Sequence, residues 1–119
     1  MDIEKLRECC LQLPGVSEDI KWGADLCFSV AGKMFCVTSL EAPHAVSFKV
    51  REEEFDELSS STQVIPAPYM ARNKWVQVQE WSRFSMQEWE SYVKQSYELV
   101  RSKLPKKIQH QLLFTEQDR

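Results

Sequence analysis

Four cations and one indole are the residues of this chain best suited to touch a ligand: Lys33, Lys49, Arg72, Lys74 and Trp75. Lys33 follows Gly32 at what reads as a hairpin tip. Lys49 closes an outward strand face together with Arg51, and Arg72, Lys74 and Trp75 lie on a proline-stiffened loop and the strand after it. Lysine and arginine on a rigid support are all that a phosphate contact requires. An outward tryptophan offers a π-face to a base, a contact indifferent to base identity. The chemistry expected of this set is nucleic-acid binding, with DNA as the partner, the four cations as phosphate contacts and Trp75 as the stacking surface. Trp22 has the same chemistry, but beside Gly23 it is expected to pack into the core.

A second chemistry uses the same region differently. Trp75, Tyr69, Lys49 and Gln77 would make an aromatic floor with one cation, suited to a small anionic ligand or a peptide on an open sheet face. Catalysis is not expected, because no pattern sets a Ser or Cys beside a base and no glycine-rich phosphate loop is present. His44 and His110 stand far apart and neither neighbours a cysteine, so no zinc site and no cofactor is expected. Glu52, Glu53, Glu54, Asp56 and Glu57 read as a solvated helix face, without a partner histidine or calcium-loop spacing. The net charge of −3 weighs against strong non-specific nucleic-acid binding. It leaves room for a local basic patch on an acidic body.

The elements that must hold these residues are legible as alternating and helical patterns. Asp2 to Leu13 reads as a helix capped by Asp2 and stopped by Pro14-Gly15, with Ile3, Leu6, Cys10 and Leu13 on one face. Val16 to Trp22 is an extended segment or short first strand. Asp25 to Val50 follows as a three-strand meander. Gly32-Lys33 is read as a type II′ turn, a register that sets Val30 opposite Phe35 and Phe28 opposite Val37. That register also makes Cys27 and Cys36 neighbours on the face away from Phe28, although small semi-apolar thiols in a reducing compartment are the favoured reading. Val46, Phe48 and Val50 alternate with Ser47 and Lys49.

Arg51 to Leu58 reads as a surface helix anchored by Phe55 and Leu58. Ile65 to Met70 reads as a stiff extended loop, because Pro66 and Pro68 fix the backbone. Lys74 to Gln79 is a strand with Val76 and Val78 inward. Ser85 and Glu88 form a capping box, and Met86, Trp89, Val93, Ser96, Val100 and Leu104 make the apolar stripe of a long helix that Pro105 ends. Lys106 to Arg119 is expected to add one helical turn through Ile108, Leu112 and Leu113 and then fray. The order of elements is α+β: a two-layer sandwich, an antiparallel sheet covered on one face by the N- and C-terminal helices.

At 119 residues, 43% hydrophobic and 28% charged, the chain has the size and composition of one globular domain. No apolar run approaches the roughly 18–20 residues that span a bilayer, and the N-terminus lacks a secretory pattern. A cytoplasmic, monomeric protein is expected.

One resemblance ties these stretches together. Leu13-Pro14-Gly15-Val16 with Trp22-Gly23, Gly32-Lys33-Met34-Phe35, Val46-Ser47-Phe48-Lys49, Pro68-Tyr69-Met70 before Lys74-Trp75, and Ser96-Tyr97-Glu98-Leu99-Val100 before Lys103-Leu104-Pro105-Lys106 resemble the MmcQ/YjbR family of small bacterial proteins. The resemblance implies a two-layer fold similar to the frataxin-like (CyaY-like) topology, with residues 1–107 as a single domain and 108–119 as a C-terminal extension. It also implies a DNA-binding label, and through fold kinship a less favoured iron-binding role for the acidic residues 52–57. The chain departs from the pattern in one place. Family members usually carry an Asn, two basic residues and a His before the Trp, where this chain has Met70-Ala71-Arg72-Asn73-Lys74-Trp75. Ala71 replaces the Asn and Lys74 the His, so an imidazole role at that position is not open to this chain.

Overall fold

Local chemistry starts and stops most elements where the sequence places them. In the computed structural model, which describes the backbone of residues 1–117 and the side chains of 1–112, α1 spans Ile3–Leu11 and the Asp2 carboxylate accepts the Lys5 N–H at 2.8 Å. The strands are β1 (Val16–Lys21), β2 (Asp25–Val30), β3 (Lys33–Ser39), β4 (Val46–Lys49), β5 (Val64–Pro66) and β6 (Trp75–Val78), with α2 (Glu52–Ser59) between β4 and β5. The long helix α3 spans Met86–Arg101, and both capping-box bonds form: Glu88 N–H to Ser85 Oγ at 3.1 Å and Ser85 N–H to Glu88 Oε1 at 3.0 Å. These satisfy donors that would otherwise be orphaned at the helix start. Helix α4 (Lys106–Gln117) follows Pro105.

The six strands form one antiparallel sheet in the order β1-β2-β3-β4-β6-β5. The α+β architecture therefore holds, with one strand more than expected. β5 lies in the stretch read as a loop. Its Pro66 has no N–H for a ladder, and an edge strand tolerates that because one side of it needs no partner.

The hairpin between β2 and β3 differs from the expected register. Val30 pairs with Lys33, so the turn residues are Ala31 and Gly32, at φ 49° and 79°. Positive φ at both central positions is the type I′ pattern, whose twist matches that of the strands. A β-bulge follows, with Ser29 opposite Met34 but Phe28 opposite Cys36. A one-residue slip exchanges the faces of a strand. Val37 consequently pairs with Cys27 on the face away from the helices, while Cys36 lies beside Phe28 in the core. Cys27 and Cys36 are thus on opposite faces, and all four cysteines are free thiols. Cys36 instead shares the core with Cys10 of α1, and burial pushes the Cys10 thiol far up, so it stays protonated at neutral pH.

The β3–β4 ladder ends at the Cys36–Phe48 pair, and just beyond it α3 supplies a bridging group. Ser96 is fully buried; its Oγ donates to the Phe35 carbonyl at 2.6 Å and accepts the Lys49 N–H at 2.9 Å. Around this clasp Trp89, Val93 and Tyr97 of α3 and Leu6 and Cys10 of α1 cover Leu26, Phe28, Val30, Phe35, Val46, Phe48, Val76 and Val78. The Tyr97 hydroxyl donates to the Pro14 carbonyl at 2.6 Å, fixing the exit of α1 to α3.

Helix α4 runs for 12 residues where a single turn was expected. Leu112 reaches the core and packs against Gly15, a position at φ +76° where any Cβ would run into the Leu112 side chain. Fraying was expected beyond Leu113, but residues 114–117 continue the helix, while Asp118 and Arg119 lie outside the described residues.

Replacing Ser96 by alanine strips both the Phe35 carbonyl and the Lys49 N–H of their partner. We expect the S96A variant to lose about 1–3 kcal/mol of stability, read in urea unfolding as a lower midpoint at unchanged slope. Gly15→Ala combines a left-handed backbone with the collision at Leu112. Its midpoint should fall too, by at least about 1 kcal/mol.

Candidate ligand site on the open sheet face

The face of the sheet turned away from α1 and α3 carries the second residue of each alternating pair. Asp25 of β2, Val37 and Ser39 of β3, Ser47 of β4 and Gln77 of β6 lie here, with Ala45 just before β4. They floor a trough of about 660 Å³ walled by Trp22, Met34, Pro68, Tyr69 and Met70. Most of this lining is apolar; Asp25 is its one charged group. A volume of this order suits a small organic molecule.

The two aromatic walls are held out of the protein. Trp22 is 70% exposed and Tyr69 fully exposed, and their backbones sit at φ 52° and 65°. Left-handed backbone in a bulky residue is a rare, strained state, costing about 1–2 kcal/mol. Trp22 was expected in the core. It sits instead in the Trp22-Gly23-Ala24 loop joining β1 to β2, where Lys21 pairs with Asp25. A hairpin loop that short has no interior in which to bury an indole.

A second hollow, about 400 Å³, adjoins the trough and shares Met34 and Met70 with it. Lys33, Lys49, Lys103, Asn73, Trp75, Val100 and Leu104 complete its lining. Lys33 starts β3 at the hairpin tip, Lys49 ends β4, and Lys103 follows α3 seven residues beyond Ser96, so the clasp brings all three to one corner. Among the described residues, none of these lysines is in a salt bridge. The Lys49 Nζ donates to the Asn73 carbonyl at 2.5 Å, which anchors its side chain over the hollow.

Of the residues expected to bind phosphate, Lys33 and Lys49 therefore share a hollow, and the other two cations point elsewhere. Lys74 extends over the Phe55 ring of α2 at 5.0 Å from its centroid, a cation–π contact on the helical side. Arg72 is exposed on the 3-10 turn Ala71–Asn73. Trp75 faces outward as expected, but only 6% of it is exposed, because Ala67 and Met70 roof it against Cys27 and Val37. It lines the hollow by an edge and offers no free face for stacking.

Of the acidic residues of α2, Glu52, Glu53, Asp56 and Glu57 are exposed and Glu54 is part of the local structure. Glu54 accepts the Arg51 N–H at 3.1 Å and the Gln95 amide at 2.8 Å. Among the described residues no group of three or more His, Cys, Asp or Glu side chains could hold a metal ion. Nor is any described helix long and apolar enough to cross a membrane.

Burial, and secondarily the Lys103 ammonium, lowers the Lys49 pKa below its ordinary value of 10.5. A folded-state value below the unfolded one means the unfolded chain binds more protons across that interval. Charged Lys49 accordingly disfavours folding at neutral pH, and the penalty is lost as pH rises from the folded value to the ordinary one. In an NMR titration of the lysine ε-methylenes, Lys49 should lose its proton below the ordinary lysine value of 10.5. Lys103→Gln should return it only part of the way, since burial is the larger cause.

The YjbR family profile matches residues 11–99, from the end of α1 to the last turns of α3. A Deinococcus radiodurans protein, DR2400, with a DUF419 domain, has the same fold at a TM-score of 0.83 and 24% identity, over 92% of this chain and 86% of its own. A Pseudomonas syringae protein superposes at 0.69 with 16% identity, over 83% of this chain and 98% of its own. No functionally curated protein matches the sequence. At these identities the two structures speak to the fold alone. The profile match spans the whole sheet and the helix that clasps it, and on that ground the chain belongs to the YjbR family.

Proposed function

We propose that this protein is a binding module for a small amphipathic anion, held on the open sheet face. The observation that carries this reading is the junction of two unlike compartments through Met34 and Met70: a trough lined mostly by apolar groups and a hollow lined by three lysines that, among the described residues, have no salt-bridge partner. Apolar surface removed from water in the trough would supply affinity at roughly 25 cal/mol per Å². The lysines would supply charge-assisted hydrogen bonds and set the orientation. Asp25, at the far compartment, repels an anion placed there, so the anionic group belongs in the lysine hollow.

DNA contact draws on the same cations with less support. It was expected to use four cations around an accessible indole, and Lys74 and Trp75 are otherwise engaged. With the chain at −3 overall, the long-range attraction for a polyanion is also weak.

Titration with cyclohexyl phosphate, followed by calorimetry, tests the reading. Saturable binding is expected, and Lys33→Gln, Lys49→Gln and Lys103→Gln should each weaken it about tenfold, the worth of one hydrogen bond to a charged group. Arg72→Gln and Lys74→Gln should leave it unchanged. Binding indifferent to the three lysines would falsify the proposal. So would a short DNA duplex that binds with steep salt dependence, requires Arg72 and Lys74, and is not displaced by the phosphate ester.

A further inference from the structure

Resting on that reading, we propose that Trp22 and Tyr69 form an aromatic clamp that selects, among amphipathic anions, those whose apolar part is a planar ring.

The two side chains come from opposite margins of the sheet. Trp22 lies in the loop after β1, the strand at one edge, and Tyr69 lies beyond β5, the strand at the other. Both wall the same trough above the central strands, whose Val37, Ser47 and Gln77 make its floor. Two aromatic residues from opposite edges of a six-stranded sheet reach one cavity only because each loop folds back over the open face. Each loop does so with a positive φ at the aromatic residue itself, 52° at Trp22 and 65° at Tyr69. Neither ring is buried by the fold, so core packing does not account for holding either one in that conformation. A flat guest between them would bury both.

The floor adds a preference within that class. Asp25, Ser39, Ser47 and Gln77 place a carboxylate, two hydroxyls and an amide along an otherwise apolar lining. The Gln77 amide already reaches Ser47 Oγ at 3.4 Å, a long contact easily exchanged for a guest acceptor. A ring bearing N–H or hydroxyl donors suits the Asp25 end, with the anionic arm running past the flexible, apolar Met34 and Met70 side chains to the lysines. The class that fits is a donor-bearing planar ring joined by a short arm to a phosphate or carboxylate.

The test compares two esters that differ only in the flatness of the ring, phenyl phosphate and cyclohexyl phosphate. Phenyl phosphate should bind the wild-type protein about tenfold more tightly, within the range that one aromatic–base stack contributes. Trp22→Ala and Tyr69→Ala should each reduce that ratio towards one by weakening phenyl phosphate more than cyclohexyl phosphate, and Trp22→Phe should retain most of it. Both alanine variants change exposed side chains, and circular dichroism would confirm that they fold. Equal binding of the two esters, still dependent on Lys33, Lys49 and Lys103, would overturn the clamp and leave the anion site standing. A ratio unchanged in both alanine variants would also overturn it. Lysine-independent binding of both esters would overturn the two readings together.

Discussion

One buried hydroxyl joins the two layers of this protein at the point where the sheet departs from regularity. The β-bulge sets Phe35 and Cys36 opposite Phe28 alone, both in the core, and the β3–β4 ladder stops at Cys36–Phe48, leaving the Phe35 carbonyl beyond its last pair. Ser96 takes that carbonyl and also the Lys49 N–H, where β4 ends. An unsatisfied buried carbonyl or amide costs about as much as several good surface contacts, so the bulge and the serine stand or fall together. Their consequences reach the other side of the sheet. The turn register sets Met34 opposite Ser29, between trough and hollow, and the end of β4 sets Lys49 over the hollow. The pitch of α3 then brings Lys103 to the same corner.

That corner is positive on a molecule that is negative overall, and the difference decides what kind of anion suits it. Long-range attraction follows net charge and is screened within about 8–10 Å at physiological salt. Short-range binding follows the three lysines, which have no carboxylate within reach among the described residues. Lys49 is disfavoured as an ammonium by burial and by Lys103. An anion entering the hollow reverses that imbalance, supplying an opposite charge where burial penalises an isolated one. The free site thus stores an electrostatic cost that a bound phosphate or carboxylate relieves. An extended polyanion gains less, because only one of its charges fits a hollow of about 400 Å³.

How much of this is legible in the sequence depends on whether a feature is decided locally. The capping residues Ser85 and Glu88, the inward stripe of α3 from Trp89 onward, the Val46-Phe48-Val50 face and the inward Val76 and Val78 follow from nearest-neighbour chemistry and are found as read, whereas Met86 at the start of the stripe is exposed. The register of β2 on β3 does not, because a bulge has no composition of its own and Gly32 fits either turn type. β5 was hidden by its prolines, whose extended backbone is shared by loops and edge strands. Trp75 was read on the correct face, yet its cover comes from Ala67 and Met70 through the 3-10 turn, which alternation cannot foresee. The signal for Lys103 was present: seven residues beyond Ser96, it continues a stripe already identified as inward. The signal for Trp22 was present too, since an indole followed by glycine between two strands sits in a turn.

The exposed indole of Trp22, which local reading set in the core, and the exposed ring of Tyr69, which it set on the open face, are the two features that folding alone does not explain. Core residues lower the free energy of the folded state by leaving water, and a well-packed sheet needs no aromatic ring in either edge loop. Left-handed backbone at both positions raises that free energy by about 1–2 kcal/mol each, and exposed rings return none of it. The core of Trp89, Tyr97, Phe28, Phe35 and Phe48, all fully buried, is large enough to carry such a cost. Strain tolerated by the scaffold at solvent-facing aromatic residues concentrates where a surface is prepared for a guest. Among the described residues, two of the six non-glycine positions at positive φ are the aromatic walls of one trough, which adjoins the lysine hollow.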